Sequence, residues 1–530
     1  KKLDKVREED KQWYKSPDMV GTMIYADDFA DNLSGVQKKL GFVQKLNINM
    51  LHLMPFLDSP KAASDNGKAV SNYKKIRSDL GKMEDLKSLA QACHRKNICI
   101  CSDFIMNHTS SSHIWAKKAQ NGDGEYMSRY FFYDNPDIPN SYDLTVPQVY
   151  PATAPGNFTY IPEIDHFVMT TFYPYEWDLN YSNPKVFNEM VNNLLFLANQ
   201  GIDMFKLKDI SYIWKEIGTN CRNLKQVHTI IRMLRIITEV VCPGVLLMGD
   251  AEGSLDDIVS YFGTEDKPEC HLVIDKDASD TIWHTMATGN CKLIKRRLDK
   301  VNTVSKDNIF VNYLRSFDPI DWKLDYDVLK EDEIDPAAHR KYLNDFFTGK
   351  ITEGIAYGEI VNDDPIVMED KLEGSVMGLC GLKTVSASLD DSSIETAIRK
   401  IILLYAYLMM EAGIPWVHCA DIKTDPKTNS IRGRLFNELC KLESLRQNER
   451  VFNFYADKWT LDTWDEGTLA MGRYYEGQKV IAVFNFTEYD RVAWVNENDG
   501  EYEDMITGQR MDASGINVPA YGFYLLKKEF

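Results

Sequence analysis

Charged side chains stand at the ends of several short apolar segments that the sequence pattern predicts to be β-strands. Asp103 and Asp250 end two of these segments, while a lysine, Lys208, ends a third. If the strands run parallel, their carboxyl ends meet at one edge of the sheet, where side chains from different strands lie close together. Two carboxylates at such an edge could perform general acid and base chemistry, whereas a lysine between them would form ion pairs.

The chain of 530 residues is acidic, with 61 Lys and Arg against 79 Asp and Glu and a net charge of −18. Binding to phosphates depends on clustered cations, so this balance argues against nucleic acid and against an anionic membrane surface as partners. The longest apolar run, Ile401 to Met410, is about half of the ~20 residues that a membrane-spanning helix needs.

Cysteine usage and the first residues favour the cytoplasm. The ten cysteines form no Cys-x-x-Cys pair, and the N-terminal residues lack the apolar stretch of a signal peptide. No set of side chains has a convincing metal-ligand spacing. We therefore expect neither a metal nor a cofactor.

Strand-like runs alternate with helical patterns over the first four-fifths of the chain. This alternation predicts βαβ units, and about eight units in ~400 residues match a (β/α)8 TIM barrel with insertions. The helical patterns include Met83–Asn97 and Val186–Gln200, and the second of these ends at Gly201. The predicted strands are Gly21–Tyr25, Met50–Pro55, Ile98–Asp103, Ile202–Lys208, Val245–Asp250, Ile309–Leu314 and Ile414–Cys419.

Two stretches depart from this alternation. Residues 109–183 are rich in Tyr, Phe, Pro, Asp and Asn without a long helical period, which predicts a domain inserted after the third strand. Short β runs separated by turn residues predict an antiparallel β-sandwich at 451–530. The barrel would then consist of residues 1–108 and 184–450.

Several sequence strings resemble the amylosucrase branch of the α-amylase superfamily, glycoside hydrolase family 13. Weaker matches, such as Asn312-Tyr313-Leu314-Arg315-Ser316, extend the resemblance through the barrel. The resemblance implies a catalytic barrel, an inserted domain and a C-terminal β domain. The matching strings are Leu51-His52-Leu53-Met54-Pro55, Asp103-Phe104-Ile105-Met106-Asn107-His108-Thr109-Ser110, Ala154-Pro155-Gly156-Asn157-Phe158, Trp177-Asp178-Leu179-Asn180-Tyr181-Ser182-Asn183-Pro184 and Ile213-Trp214-Lys215-Glu216-Ile217-Gly218-Thr219.

The resemblance also implies where the chemistry of the family would lie. Retaining glycosidases and transglucosylases use one carboxylate as the nucleophile and a second carboxyl group as acid and base. The nucleophile ends an Arg-x-Asp string on the fourth strand, which reads Lys206-Leu207-Lys208 here, so its position holds Lys208. The acid position at the end of the fifth strand holds Asp250, which is one methylene shorter than the usual glutamate.

Other positions of the family's site are partly kept. The transition-state-stabilising aspartate of the seventh strand is Asp318, and its histidine partner is replaced by Phe317. Lys68 replaces an aromatic platform, and the stretch 421–430 lacks most of the segment that carries a sugar-binding arginine. The sugar-binding positions that the resemblance implies are Asp65, Asp103, His108 and Lys206.

A lysine at the nucleophile position opposes the reaction of the family. Lys208 offers no carboxylate to the sugar carbon and would repel the positive charge that develops there. Its neighbours would be Asp103, Asp250 and Asp318, and ion pairs with them would fill the sugar pocket. This interpretation predicts a Lys208 nitrogen within hydrogen-bond reach of one of those carboxylates.

Two functions follow from these residues. We predict a non-catalytic relative of amylosucrase-type enzymes that binds a glucose-containing carbohydrate, regulates a related enzyme or interacts with a protein partner. The alternative is an active α-glucan or sucrose glycosidase or glucosyltransferase that uses Asp250 and Asp318, or Glu252 as a relocated acid. Asp209 is a weaker candidate for relocation, since an Asp209 still on the strand would face the helices rather than the pocket.

Overall fold

Eight parallel strands form a closed barrel. The computed structural model describes residues 2–151, 153–351, 356–361, 370–382, 391–418, 430–497 and 500–530. Neighbouring barrel strands follow the chain order, and the first strand neighbours the last. The predicted TIM barrel is thereby confirmed. Its strands are β1 Gly21–Ile24, β2 Met50–Leu53, β3 Cys99–Ile105, β4 Met204–Lys208, β5 Leu246–Gly249, β6 Leu272–Ile274, β7 Ile309–Tyr313 and β8 Ile414–His418.

The register of β3 to β5 brings the charged side chains at their carboxyl ends to one level. Lys206 of β4 lies opposite Asp103 of β3 in the parallel pairing. Lys206 and Lys208 are two residues apart on one strand, so both side chains point to the same face. Asp250 directly follows β5, and its backbone N–H donates to the carbonyl oxygen of Leu207 at 3.2 Å. Strand pairing therefore positions these lysines beside Asp250.

The sequence did not predict β6, which is only three residues long. Its strand conformation is set by pairing with β5, where Leu272 lies opposite Met248 and Val273 opposite Gly249. The predicted end of β8 at Cys419, and residues 420–429 of the segment after it, lie outside the described residues.

Helices follow barrel strands along the chain, and one of them shows both a capping residue at its start and a glycine at its end. Pro184–Gln200 begins at Asn183, whose side-chain oxygen accepts a hydrogen bond from Lys185 N, and ends at Gly201 with φ 111°, as predicted. No helix in the described ranges is long and apolar enough to cross a membrane. The other helices outside residues 109–183 are Lys2–Glu9, Ala26–Ala30, Leu33–Lys45, Met83–His94, Lys225–Val241, Leu255–Ser260, Lys276–Thr288, Lys292–Asn302, Tyr326–Leu329, Pro336–Phe347, Val376–Leu379, Asp391–Met410 and Ile431–Asn448.

Residues 109–183 form short helices and two small antiparallel sheets. A three-stranded sheet has the order Phe132–Tyr133, His166–Met169, Phe158–Ile161. A second sheet pairs His108–Ser110 with Glu176–Asp178, so the stretch returns to the end of β3. The helices are Ile114–Gln120, Gly124–Met127 and Asp137–Asp143.

The C-terminal region confirms the predicted antiparallel β-sandwich. Ile481 and Leu526 of a six-stranded sheet share a buried core with Ala493 and Ile516 of a two-stranded sheet. The larger sheet has the order Asp457–Leu461, Thr468–Tyr475, Gln478–Asn485, Phe523–Glu529, Glu501–Asp504, Arg510–Asp512, and the smaller sheet pairs Arg491–Ala493 with Ile516–Val518.

The chain divides into two compact units. One consists of residues 1–13, 23–44 and 49–274, and the other of residues 14–22, 45–48 and 275–530. The domain boundaries that the sequence suggests at 108, 183 and 450 stay a prediction.

Candidate active site

Two lysines converge on one buried aspartate at the ends of β4 and β5. The Nζ atoms of Lys206 and Lys208 each lie 3.1 Å from Asp250 Oδ2. The side chain of Asp250 is 0% exposed, and the side chain of each lysine is 9% exposed. The contact that the sequence predicted between Lys208 and a pocket carboxylate is therefore present. Two ammonium groups around one carboxylate favour its charged form.

Asp103 extends this group of charges toward β2. Its Oδ2 lies 3.2 Å from His52 Nε2, and its Oδ1 lies 4.0 Å from Lys206 Nζ. Burial raises the pKa of Asp103, but His52 and Lys206 outweigh this effect, so the pKa lies below its ordinary value. Asp103 is therefore ionised at neutral pH. We call Lys206, Lys208, Asp250, Asp103 and His52 the lysine–aspartate cluster.

Asp209 lies beside this cluster because the strand ends before it. β4 stops at Lys208, and Asp209 has the left-handed backbone conformation with φ 58° and ψ 30°. Its Oδ1 lies 4.0 Å from Lys208 Nζ. Burial raises the pKa of Asp209 although Lys208 and His108 lower it. We expected Asp209 to face the helices only if it were still on the strand, and the strand ends one residue before it.

Glu252 is held by the segment that follows β4. Its Oε2 accepts a hydrogen bond from Tyr212 Oη at 2.7 Å, and its backbone N–H donates to Ser211 Oγ at 2.8 Å. Glu252, which we considered as a relocated acid, thus has its carboxylate hydrogen-bonded to the hydroxyl group of Tyr212.

Asp65, where the resemblance implies sugar binding, is paired with a cation. Asp65 Oδ2 lies 3.2 Å from Lys68 Nζ, and both side chains are mostly buried. Asp65 and Asn66 have φ values of 43° and 55°, which give the tight turn that brings Lys68 back to Asp65. The lysine at the expected aromatic position therefore neutralises the aspartate.

His108 faces a second buried carboxylate, Glu176, which the sequence analysis missed. His108 Nε2 lies 3.4 Å from Glu176 Oε1, and both side chains are buried. Burial lowers the pKa of His108, but Glu176 raises it more strongly, aided by Asp209 and Asp178, so that the pKa is about 9. His108 therefore carries a proton at neutral pH. Burial raises the pKa of Glu176, against the lowering effect of His108.

The raised pKa of His108 predicts a stability difference that depends on pH. Its pKa is about 9 in the folded chain against an ordinary 6.5. The stabilisation is complete below pH 6.5 and is lost as pH rises through 9. We expect wild type to lose up to about 3 kcal/mol of unfolding free energy relative to His108→Gln over this range, measured by urea denaturation at several pH values. Equal pH slopes for the two proteins would contradict the assignment.

A buried ion pair connects the inserted stretch to the segment after β4. Lys215 Nζ lies 2.7 Å from Asp178 Oδ2, and it donates to Asn107 Oδ1 at 3.1 Å and to Thr171 Oγ1 at 2.9 Å. Asn107 and Thr171 also donate hydrogen bonds to Asp178.

Among the described residues, no group of three or more His, Cys, Asp or Glu side chains is arranged to hold a metal ion.

Phe317 and Asp318 belong to the second compact unit. The ring centroids of Phe317 and His418 are 4.4 Å apart. The backbone N–H of Asp318 donates to Ser316 Oγ at 3.1 Å, and its carbonyl oxygen accepts from Arg315 Nη2 at 3.2 Å. Asp318 therefore sits in a turn that Arg315 and Ser316 hold after β7.

Comparison with known proteins places the chain in one family. The model of the alpha amylase catalytic domain matches residues 21–316. A trehalose synthase/amylase from Mycolicibacterium smegmatis is 33% identical over 272 residues, which cover 50% of this chain and 45% of that protein. The chain thus matches less than half the length of that relative. A glucosylglycerate phosphorylase from Escherichia coli is 26% identical over 439 residues, covering 82% of this chain and 71% of that protein.

Solved structures show the same fold at low sequence identity. A trehalose-6-phosphate hydrolase from Bacillus licheniformis has a TM-score of 0.70 at 15% identity and covers 98% of this chain and 100% of its own. A mutant isomaltulose synthase from Erwinia rhapontici in complex with sucrose also has a TM-score of 0.70 at 15% identity, covering 97% and 99%. With a family model that matches more than half of its residues, the chain belongs to the α-amylase superfamily, glycoside hydrolase family 13, as its motifs predicted.

Proposed function

We propose that the chain binds a glucose-containing carbohydrate and does not carry out the double displacement of its family. The observation that carries this proposal is the contact of 3.1 Å between Lys208 Nζ and Asp250 Oδ2. It joins the two positions from which the resemblance expects a nucleophile and an acid.

This contact opposes both the role of the nucleophile and the role of the acid. A retaining enzyme needs a carboxylate that attacks the sugar carbon and a carboxyl group that protonates the leaving oxygen. An ammonium at the first position repels the positive charge that builds up on the sugar. At the second position, Asp250 Oδ2 lies 3.1 Å from the Nζ atoms of both Lys206 and Lys208, and two neighbouring ammonium groups oppose the protonated form that an acid must have.

The neighbouring polar groups support binding of a sugar. Asp103, His108 and Asp65 are residues that the resemblance assigns to sugar binding, and each has an ionisable partner. Such groups donate and accept hydrogen bonds to hydroxyl groups without performing chemistry. A protein of this kind would regulate a related enzyme or recruit it to carbohydrate.

An active glycosidase or glucosyltransferase is the second candidate function. Asp209 favours it, because this carboxylate lies 4.0 Å from Lys208 Nζ at the end of β4 and has a pKa raised by burial. The comparisons favour it as well, since the relatives named above are a synthase and a phosphorylase. The relation to amylosucrases in particular stays a prediction.

Turnover assays separate the two functions. The purified chain is incubated with sucrose, maltooligosaccharides and aryl α-glucosides, and binding of the same sugars is measured by calorimetry. The first function predicts heat of binding without turnover above background. Turnover that disappears in Asp209→Asn or Asp250→Asn but persists in Asp79→Asn, a surface control, would establish the second function. If the chain shows no turnover and binds none of these sugars, both functions are contradicted.

A further inference from the structure

A cavity beside the first strand of the C-terminal sheet is lined by a lysine that the candidate active site does not use. The cavity is partly open to solvent. Lys458, on the strand Asp457–Leu461, lines it together with Lys306, Ser305 and Asn308. Apolar residues such as Ile309 and Phe454 also contribute to its wall. This cavity takes no part in the proposed carbohydrate function.

Among the described residues, none pairs with Lys458 as a counter-ion. In the part of the chain that the structure describes, its ammonium makes no hydrogen bond or ion pair. The adjacent acid, Asp457, accepts from Lys306 Nζ at 2.5 Å, and Lys306 also donates to the carbonyl oxygen of Tyr455 at 3.0 Å. Asp457 is therefore already engaged by another cation.

Two buried arginines add positive charge to this region. Arg473 lies directly opposite Lys458 in the antiparallel strand pair, an arrangement in which like charges repel. Arg473 and Arg446 are buried and donate to main-chain carbonyl oxygens. Within the described ranges neither guanidinium forms an ion pair with a carboxylate. Three cations therefore share a poorly solvated region, which is costly unless an anion joins them.

The acid–base behaviour of these groups agrees with an excess of positive charge. Burial lowers the pKa of Lys458 to about 7, and Arg473, Lys306 and Arg446 act in the same direction, whereas Asp457 opposes them. Burial and the charge of Arg446 lower the pKa of Arg473 to about 9. A bound anion would raise both values toward normal.

We propose that this cavity is a binding site for a small tetrahedral oxyanion of the phosphate or sulfate type. The ammonium of Lys458 would supply the principal charge, and the side chains of Ser305 and Asn308 would supply neutral donors. Charge-assisted hydrogen bonds to such an anion are stronger than neutral ones and suit a mixed set of donors. The anion would also offset the repulsion between Lys458 and Arg473 across the strand pair.

The site predicts a specific pH dependence for sulfate, which does not itself titrate near neutrality. Lys458 is mostly protonated at pH 6 and mostly neutral at pH 8, given its pKa of about 7. The protonated form of Lys458 attracts the anion and its neutral amine does not, so sulfate affinity is expected to fall about tenfold between pH 6 and pH 8. The other charged groups that act on Lys458 are Arg473, Arg446, Lys306 and Asp457.

Calorimetry and thermal denaturation of the full chain test the proposal, with sodium sulfate and sodium phosphate as probes and sodium chloride at equal ionic strength as reference. Wild type is expected to bind sulfate and to melt at a higher temperature with it than with chloride. Lys458→Met is expected to weaken binding at least tenfold. Lys295→Met is the matched control, because Lys295 pairs with exposed Asp462 outside the cavity.

Several results would overturn the oxyanion site. These are equal stabilisation by chloride and sulfate, sulfate binding unchanged in Lys458→Met, or a wild-type affinity that stays constant from pH 6 to pH 8. The pH profile uses the wild type alone, so it decides the question even if Lys458→Met does not fold.

Discussion

Replacing Lys215 by methionine is expected to lower the free energy of unfolding by about 3–5 kcal/mol. Methionine keeps most of the length of the side chain but leaves the carboxylate of Asp178, which is 0% exposed, without its cation. The hydroxyl of Thr171 and the amide of Asn107 also lose a donor. Urea denaturation followed by circular dichroism measures the loss.

Two further variants show whether the loss comes from the unpaired charge. Lys185→Met removes an exposed lysine that pairs with Glu125 and is expected to leave the denaturation midpoint almost unchanged. Combining Lys215→Met with Asp178→Asn removes both buried charges and should recover about 1 kcal/mol or more of the loss. A double variant less stable than Lys215→Met alone would contradict an origin in the unpaired carboxylate.

The barrel could be predicted from the sequence because most of its strands are apolar runs bounded by helical patterns. Met50–Leu53, Met204–Lys208 and Leu246–Gly249 all lie within the predicted strands. Leu272–Ile274 could not be found in this way, because three residues carry no periodic signal and pairing with β5 defines the strand. A strand can therefore be predicted from the sequence when it is an apolar run, but not when only its pairing with a neighbouring strand defines it.

The candidate site shows the same division between local and tertiary information. The contact of Lys208 with Asp250 followed from two residues at the ends of neighbouring parallel strands. The position of the Asp209 side chain could not be predicted, because it depends on whether β4 ends at Lys208 or one residue later. Asp209 lies just beyond the strand and has a left-handed φ of 58°. Glu176 and Lys215 were missed because their partners, His108 and Asp178, are brought to them by the fold of the inserted stretch.

Lys208→Asp is expected to hydrolyse α-glucosyl fluoride about 10²-fold faster than Lys208→Met, provided that the lysine is what blocks the reaction. Fluoride leaves without help from an acid, so this substrate tests the nucleophile position without requiring Asp250 to donate a proton. Lys208→Met removes the same positive charge but supplies no carboxylate. Fluoride release measured with an ion-selective electrode gives the rate of each variant.

The comparison with sucrose then shows how far the rest of the site is adapted to catalysis. Sucrose needs a proton on its leaving oxygen, so Lys208→Asp alone is expected to leave it uncleaved, whereas adding Asp250→Glu restores the longer side chain of the family. If the double variant cleaves sucrose, the remaining groups around Asp65 and Asp103 still place the sugar productively. If Lys208→Asp and Lys208→Met release fluoride equally slowly, the block does not lie at Lys208, and the ion pair of Lys68 with Asp65 becomes the feature that closes the pocket.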